Sequence, residues 1–182
     1  MKANLIRLDQ RLRAVGWLLA YSCCMTLVAG CNTRHYVERA VAMEPTIKAG
    51  QRVKVDLAAY KQHAPERWDI VIFKHPESPG DDSPSMMRIV GLPGETIQMQ
   101  PDGIIIDGEP LEIPPKLKTL TYGSIKPPFP SISKTGQPLP AYPLKIPDSS
   151  YFVLGDNSLQ AYDSRFLGVL TGKAILGKVV GY

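Results

Sequence analysis

Nucleophilic catalysis by a side chain takes a nucleophile and a base to accept its proton. The stretch VAMEPTIKAG, residues 41 to 50, has the rhythm of a loop that carries a nucleophile, yet Ala42 stands where a hydroxyl is expected. Met43, Glu44, Pro45 and Thr46 follow it. Other groups with chemistry lie near: Ser83 and Ser85 close to Met87, and Lys48 and Lys74 beside the first apolar stretches. A serine in a proline-rich loop and a lysine at a strand end are ordinarily solvated, so none of these four reads as a reagent. His35, His63 and His75 lack metal-ligand spacing, and no cysteine follows residue 31, so neither a metal nor another cofactor is expected. Asp156, Asp163, Arg88 and Arg165 read as a structural charge network rather than as catalytic acids.

The elements that must position these residues are strands. QRVKVDL (51 to 57) alternates polar and apolar residues, WDIVIF (68 to 73) is β-branched and aromatic, and MMRIVGL (86 to 92) follows a turn-rich gap. ETIQMQ, then Pro101, Asp102 and Gly103, then IIIDG read as a hairpin with suitable turn residues. YFVLGD (151 to 156) and AILGKVVGY (174 to 182) supply the remaining strands, so the expected fold is mainly β. Two inserts interrupt it. Residues 74 to 84 are acidic and rich in turn formers, and residues 110 to 147 hold ten of the seventeen prolines, which excludes central strands and long helices there. Tyr122, Phe129 and Tyr142 are candidates to pin this second insert to the body, and short edge strands within it are allowed.

With 182 residues there is room for one buried core and an N-terminal appendage. The formal charge of +4 comes largely from Lys2, Arg7, Arg11 and Arg13, which leaves a body with no electrostatic footprint for nucleic acid. Residues 14 to 33 carry no charge. As a helix they would reach ~30 Å, enough to span a bilayer's hydrocarbon core. The same stretch ends in LVAGC, the form of a lipoprotein signal with Cys31 as the lipidated residue. An uncleaved anchor and a lipidated Cys31 are both open. Either places residues 34 to 182 on the extracytoplasmic side, with residues 1 to 33 as signal or membrane anchor.

Four separated stretches, AMEPT (42 to 46), WDIVIF (68 to 73), MRIVGLPGE (87 to 95) and GDNSLQAYDSR (155 to 165), together resemble the boxes of bacterial type I signal peptidases. They occur in the family's order and at about its spacing. The resemblance implies a signal-peptidase-like β-sheet fold with an N-terminal membrane-anchoring helix. In that family a serine attacks the leader of a secreted protein and a neutral lysine takes the serine's proton. The resemblance places those two positions at Ala42 and Met87, neither competent, and it places an oxyanion-hole hydroxyl at Ala40 and a lysine-orienting hydroxyl at Ala161. Pro45, Asp156, Asn157, Asp163, Ser164 and Arg165 stand where the family has its structural motif.

The family binds leaders in extended conformation, which implies a groove here between the segments containing Val41 and Met43 and those containing Met86, Arg88 and Ile89. Strand addition needs no catalytic side chain, so such a groove can outlive cleavage. The leading expectation is therefore a membrane-anchored, inactive signal-peptidase homologue that binds a leader peptide or a partner protein. Two rivals stay open: an active serine endopeptidase with an unrecognised nucleophile, and an envelope scaffold that uses the proline-rich arm.

Overall fold

In the segment RVKVD the alternation of charged and aliphatic residues sends Val53 and Val55 into the interior and leaves Arg52 and Lys54 in water. The segment IVIF is apolar throughout and is buried on both sides. These two patterns, one for a half-covered strand and one for a central strand, are what the fold delivers. The computed structural model describes residues 32–74, 83–120, 122–123 and 138–182. The chain divides into two units, Met1–Asn32 and Thr33–Tyr182, and the second is the one described below. The anchor expected at 1 to 33 lies, but for Asn32 and Thr33, outside the described residues, as do Cys31, His75 and Phe129. Among the described residues no helix is long and apolar enough to cross a membrane.

The strands are β1 (Thr33–Val37), β2 (Arg52–Asp56), β3 (Ile70–Phe73), β4 (Ser85–Gly91), β5 (Thr96–Gln100), β6 (Gly103–Ile106), β7 (Glu109–Pro110), β8 (Leu144–Lys145), β9 (Ser150–Leu154), β10 (Leu170–Thr171) and β11 (Ile175–Gly181). Among the described residues one short α-helix, α1 (Ser164–Leu167), begins within the last box. The fold is mainly β, as expected. Seven strands form one sheet in the order β1-β2-β11-β3-β4-β9-β10, and four form a second in the order β7-β6-β5-β8. All pairings are antiparallel. β11 lies between β2 and β3, and so joins the two halves of the larger sheet.

Strand alternation sorts the core into faces. Ile70, Ile72 and Met86 pack with Met43, Ile47, Val53, Val55 and Val179 on one side. Val71, Phe73 and Met87 pack with Ile89, Tyr151 and Val153 on the other. A third cluster, with Val90, Ile97, Ile104, Ile146, Phe152 and Leu154, lies where the hairpin strands β5 and β6 meet the larger sheet. Leu117, Leu120 and Tyr122 from the proline-rich insert belong to this third cluster, and Tyr142 meets Phe152 edge-on at 6.4 Å. The described parts of the insert are thus fastened to the body. β7 and β8, which flank it, are edge strands of the smaller sheet, where proline is tolerated.

Candidate functional site

The loop at 41 to 50 is shaped by its own backbone. Glu44 N donates to Val41 O at 3.1 Å and Ile47 N to Met43 O at 2.9 Å, which rolls the turn over and buries the Met43 and Ile47 side chains beneath it. The loop is then tied to the last box. Asn157 N donates to Ala42 O at 2.9 Å, and Asn157 Nδ2 donates to Val41 O at 3.1 Å. Gly155 makes this approach possible. A Cβ there would lie 2.4 Å from the Ala161 Cβ and 2.5 Å from the Ala42 carbonyl oxygen.

Beneath the loop sits a buried polar centre at Asp156. Arg88 donates to it twice, Nε at 2.8 Å and Nη2 at 2.5 Å, Tyr122 OH donates at 2.6 Å, and the Thr46 hydroxyl donates as well. Arg88 Nη1 donates to Trp68 O at 2.9 Å. Burial opposes the Arg88 charge, but the hydrogen bonds and negative charge of Asp156 outweigh it and hold the guanidinium above its ordinary value. Burial first, then the Asp156 charge, pushes the Tyr122 hydroxyl up, so it stays protonated and keeps donating. Asp163 and Arg165 form a separate pair within the last box. Arg165 Nε and Nη2 each donate to Asp163 at 2.8 Å, and Asp163 also caps α1 by accepting from Arg165 N. Ser164 Oγ accepts from Val153 N at 2.9 Å, which anchors the helix start to β9. Among the four charged residues expected to form one network, only Arg88 and Asp156 link the third box to the last.

Above this platform opens a pocket of about 340 Å³, lined by residues 38–42, residues 83–87, Gln160 and Tyr162. The structure therefore brings Ala40, Val41, Ala42, Met86 and Met87 together around one space. Ala42 is half-buried, and Met87 is 4% exposed with its thioether among the apolar residues of β3 and β9. Ala161 does not line the pocket; it is buried against Gly155, behind Ala42. Three residues expected in the groove are placed elsewhere. Met43 and Ile89 are fully buried in the two faces of the core, and Arg88, two positions beyond Met86 on the same face of β4, is committed to Asp156. Pro45 is exposed beside a second, shallower depression shared with Asn157 and Ser158. Among the described residues no cluster of His, Cys, Asp or Glu could hold a metal.

The boxes, their order and the loop-on-platform geometry are now in place, and a family model described as signal peptidase, peptidase S26, matches residues 11–182. The chain belongs to that family. Signal peptidase I V of Bacillus subtilis (strain 168) is 33% identical over 147 residues, which is 79% of this chain and 82% of that protein. Signal peptidase I of Leptolyngbya laminosa is also 33% identical over 147 residues, covering 76% of this chain and 63% of that protein. A crystal structure of a signal peptidase I from Enterococcus faecalis V583 shares 27% identity, covers 64% of this chain and 97% of that chain, and superposes with a TM-score of 0.44. Within this signal-peptidase-family chain, two residues of the site escaped sequence reasoning. Tyr122, expected only to pin an arm, is a direct donor to Asp156, and an isolated aromatic in a proline-rich stretch carries no signal of that. Glu38 lines the pocket, and nothing in its spacing from the AMEPT box distinguishes it from a solvated acid.

Proposed function

We propose that this chain is a membrane-anchored member of the signal peptidase family that holds an extended leader segment in the pocket between residues 38–42 and 83–87 and does not hydrolyse it. The observation that supports this reading is the shared pocket of Ala42 and Met87, a methyl group and a thioether at the positions where the family resemblance puts a hydroxyl and an amine. Among the described residues the lining offers no lysine or histidine. The basic group among the described lining residues, Arg39, is a guanidinium, which offers donors and no acceptor.

Energetics support a retired site. Removing the nucleophile of a nucleophile–base pair costs on the order of a million-fold in turnover, and losing the base afterwards adds little because the two act as a unit. A lysine kept at position 87 without a task would still carry a desolvation cost of several kcal/mol. Methionine keeps the length and the apolar contacts without that cost. On this reading the body stands outside the cytoplasm, close to the membrane in which its leader substrates are anchored.

The full chain in detergent, offered a fluorescent leader peptide, is expected to bind it without cleavage. The double variant Ala42→Ser, Met87→Lys is expected to gain cleavage. Turnover by the unaltered chain at a rate typical of the family would overturn the reading. A second reading has its own observation: Ser83 and Ser85 line the same pocket as the carboxylate of Glu38. Covalent labelling of either serine by a fluorophosphonate probe would favour that alternative.

A further inference from the structure

Glu38 follows β1 directly and is locked in place. Its N–H donates to Gln51 O at 2.9 Å, its carbonyl accepts from Gly50 N at 2.7 Å, and its Oε1 accepts from Ala40 N at 2.8 Å. The side chain cannot turn outward without giving up the Ala40 bond. The residue is 5% exposed, and Oε2, fully buried, has no hydrogen-bond partner among the described residues. A buried carboxylate oxygen with nothing to accept is costly and uncommon. Burial also pushes the carboxyl up from its ordinary value, against the opposing pull of the Ala40 and Arg39 backbone N–H groups. Its nearest charged neighbour in the pocket, Arg39, is engaged elsewhere, with Nη1 donating to Ser83 Oγ at 3.0 Å.

We propose that Glu38 is a specificity residue of this pocket, selecting a peptide side chain that carries a hydrogen-bond donor, an ammonium or a hydroxyl, over an alkyl side chain of the same size. The inference rests on the peptide-binding reading above. A donor delivered by the peptide completes the carboxylate's bonding, with Oε1 still held by Ala40. An alkyl group in the same place leaves the buried oxygen unpaired, as it is without a peptide. Discrimination arises from the bond that the donor adds and its alkyl match cannot make, because a site with a buried, unpaired polar group favours the ligand that pairs it. A single such bond to a charged acceptor corresponds to a preference of about tenfold or more.

The test is a binding scan on the full chain in detergent. Fluorescent alanine-based peptides carry one lysine, moved a residue at a time, each matched by a norleucine peptide of equal length. A parallel set compares serine with α-aminobutyrate. At one scan position a donor peptide is expected to bind at least about tenfold more tightly than its alkyl match. Glu38→Leu is expected to reverse the order at that position. Glu38→Gln keeps the shape and the Ala40 bond and puts an NH2 in place of Oε2; a serine hydroxyl can accept from it and an ammonium cannot, so a lysine preference is expected to vanish while a serine preference is spared. Equal binding within every pair, or a donor preference that survives Glu38→Leu, overturns the inference while leaving the groove intact. Failure of every peptide to bind overturns the groove reading, and this inference with it.

Discussion

Replacing Asp156 by alanine should unfold the platform from the centre. Its side chain is wholly buried, and four donor contacts from Arg88, Tyr122 and Thr46 converge on it. Removing one partner of a buried ion pair typically costs about 3–5 kcal/mol, because the remaining charge stays desolvated. Tyr122, 1% exposed, is left with an unpaired hydroxyl, and a group of that kind adds about 1–3 kcal/mol when no water replaces the lost bond. A total of roughly 4–8 kcal/mol is a large part of the 5–15 kcal/mol that holds a domain together. Urea unfolding followed by tryptophan fluorescence is the assay, since Trp68 stacks 6.3 Å from Tyr122 and reports on this centre. The double variant Arg88→Met, Asp156→Leu is expected to be milder than Asp156→Ala alone, because no charge is then stranded. A single substitution costing less than about 1 kcal/mol, or a double variant as damaging as the sum of its parts, would refute the account of Asp156 as the hub.

Gly155→Ala is expected to cost about 1–3 kcal/mol in thermal or chemical unfolding and to weaken peptide binding, since the new methyl collides with the Ala42 carbonyl as well as with Ala161. Met87→Lys alone is expected to destabilise by several kcal/mol at neutral pH, because it places an amine where a 4% exposed thioether packs on Val71, Phe73, Tyr151 and Val153; denaturation midpoints measure it. Stability should also respond to Glu38. Because burial raises its folded-state value above the ordinary 4.5, the folded chain binds the proton more tightly than the unfolded chain does. The contribution is complete below 4.5 and is lost as pH rises through the raised value, so unfolding free energies of the unaltered chain should fall across that window relative to those of Glu38→Leu.

Much of both sheets is written in periodicity. Arg52–Asp56 alternates, Ile70–Phe73 and Ser150–Leu154 are apolar runs bounded by turn residues, and the pair Thr96–Gln100 and Gly103–Ile106 is announced by Pro101 and Asp102 between them. β7, β8 and β10 have two residues each, too few for any period to show. β1 is an edge strand whose five side chains stay in contact with solvent, so TRHYV has no apolar face to betray it. At the site, the boxes foretold which segments meet, Ala40 to Ala42 against Met86 and Met87, because that depends on family order. They did not foretell which side chains face the space. Met43 sits one residue past Ala42, yet the turn rolls it into the core, and Ile89 lies on the face of β4 packed against Val153. Burial, not proximity in sequence, decides such cases, and Glu38 is the converse: an acid drawn inside by three backbone bonds.

The place of β11 has a consequence for how the molecule comes into being. It follows every other strand in the chain, yet it is the slat between β2 and β3. During synthesis the portion bearing Ala42 and the portion bearing Met87 emerge first and have no direct ladder between them. The backbone ladder that joins them is complete only after Ile175–Gly181 has left the ribosome and paired with both β2 and β3. Until then the larger sheet lacks the strand that bridges its two halves.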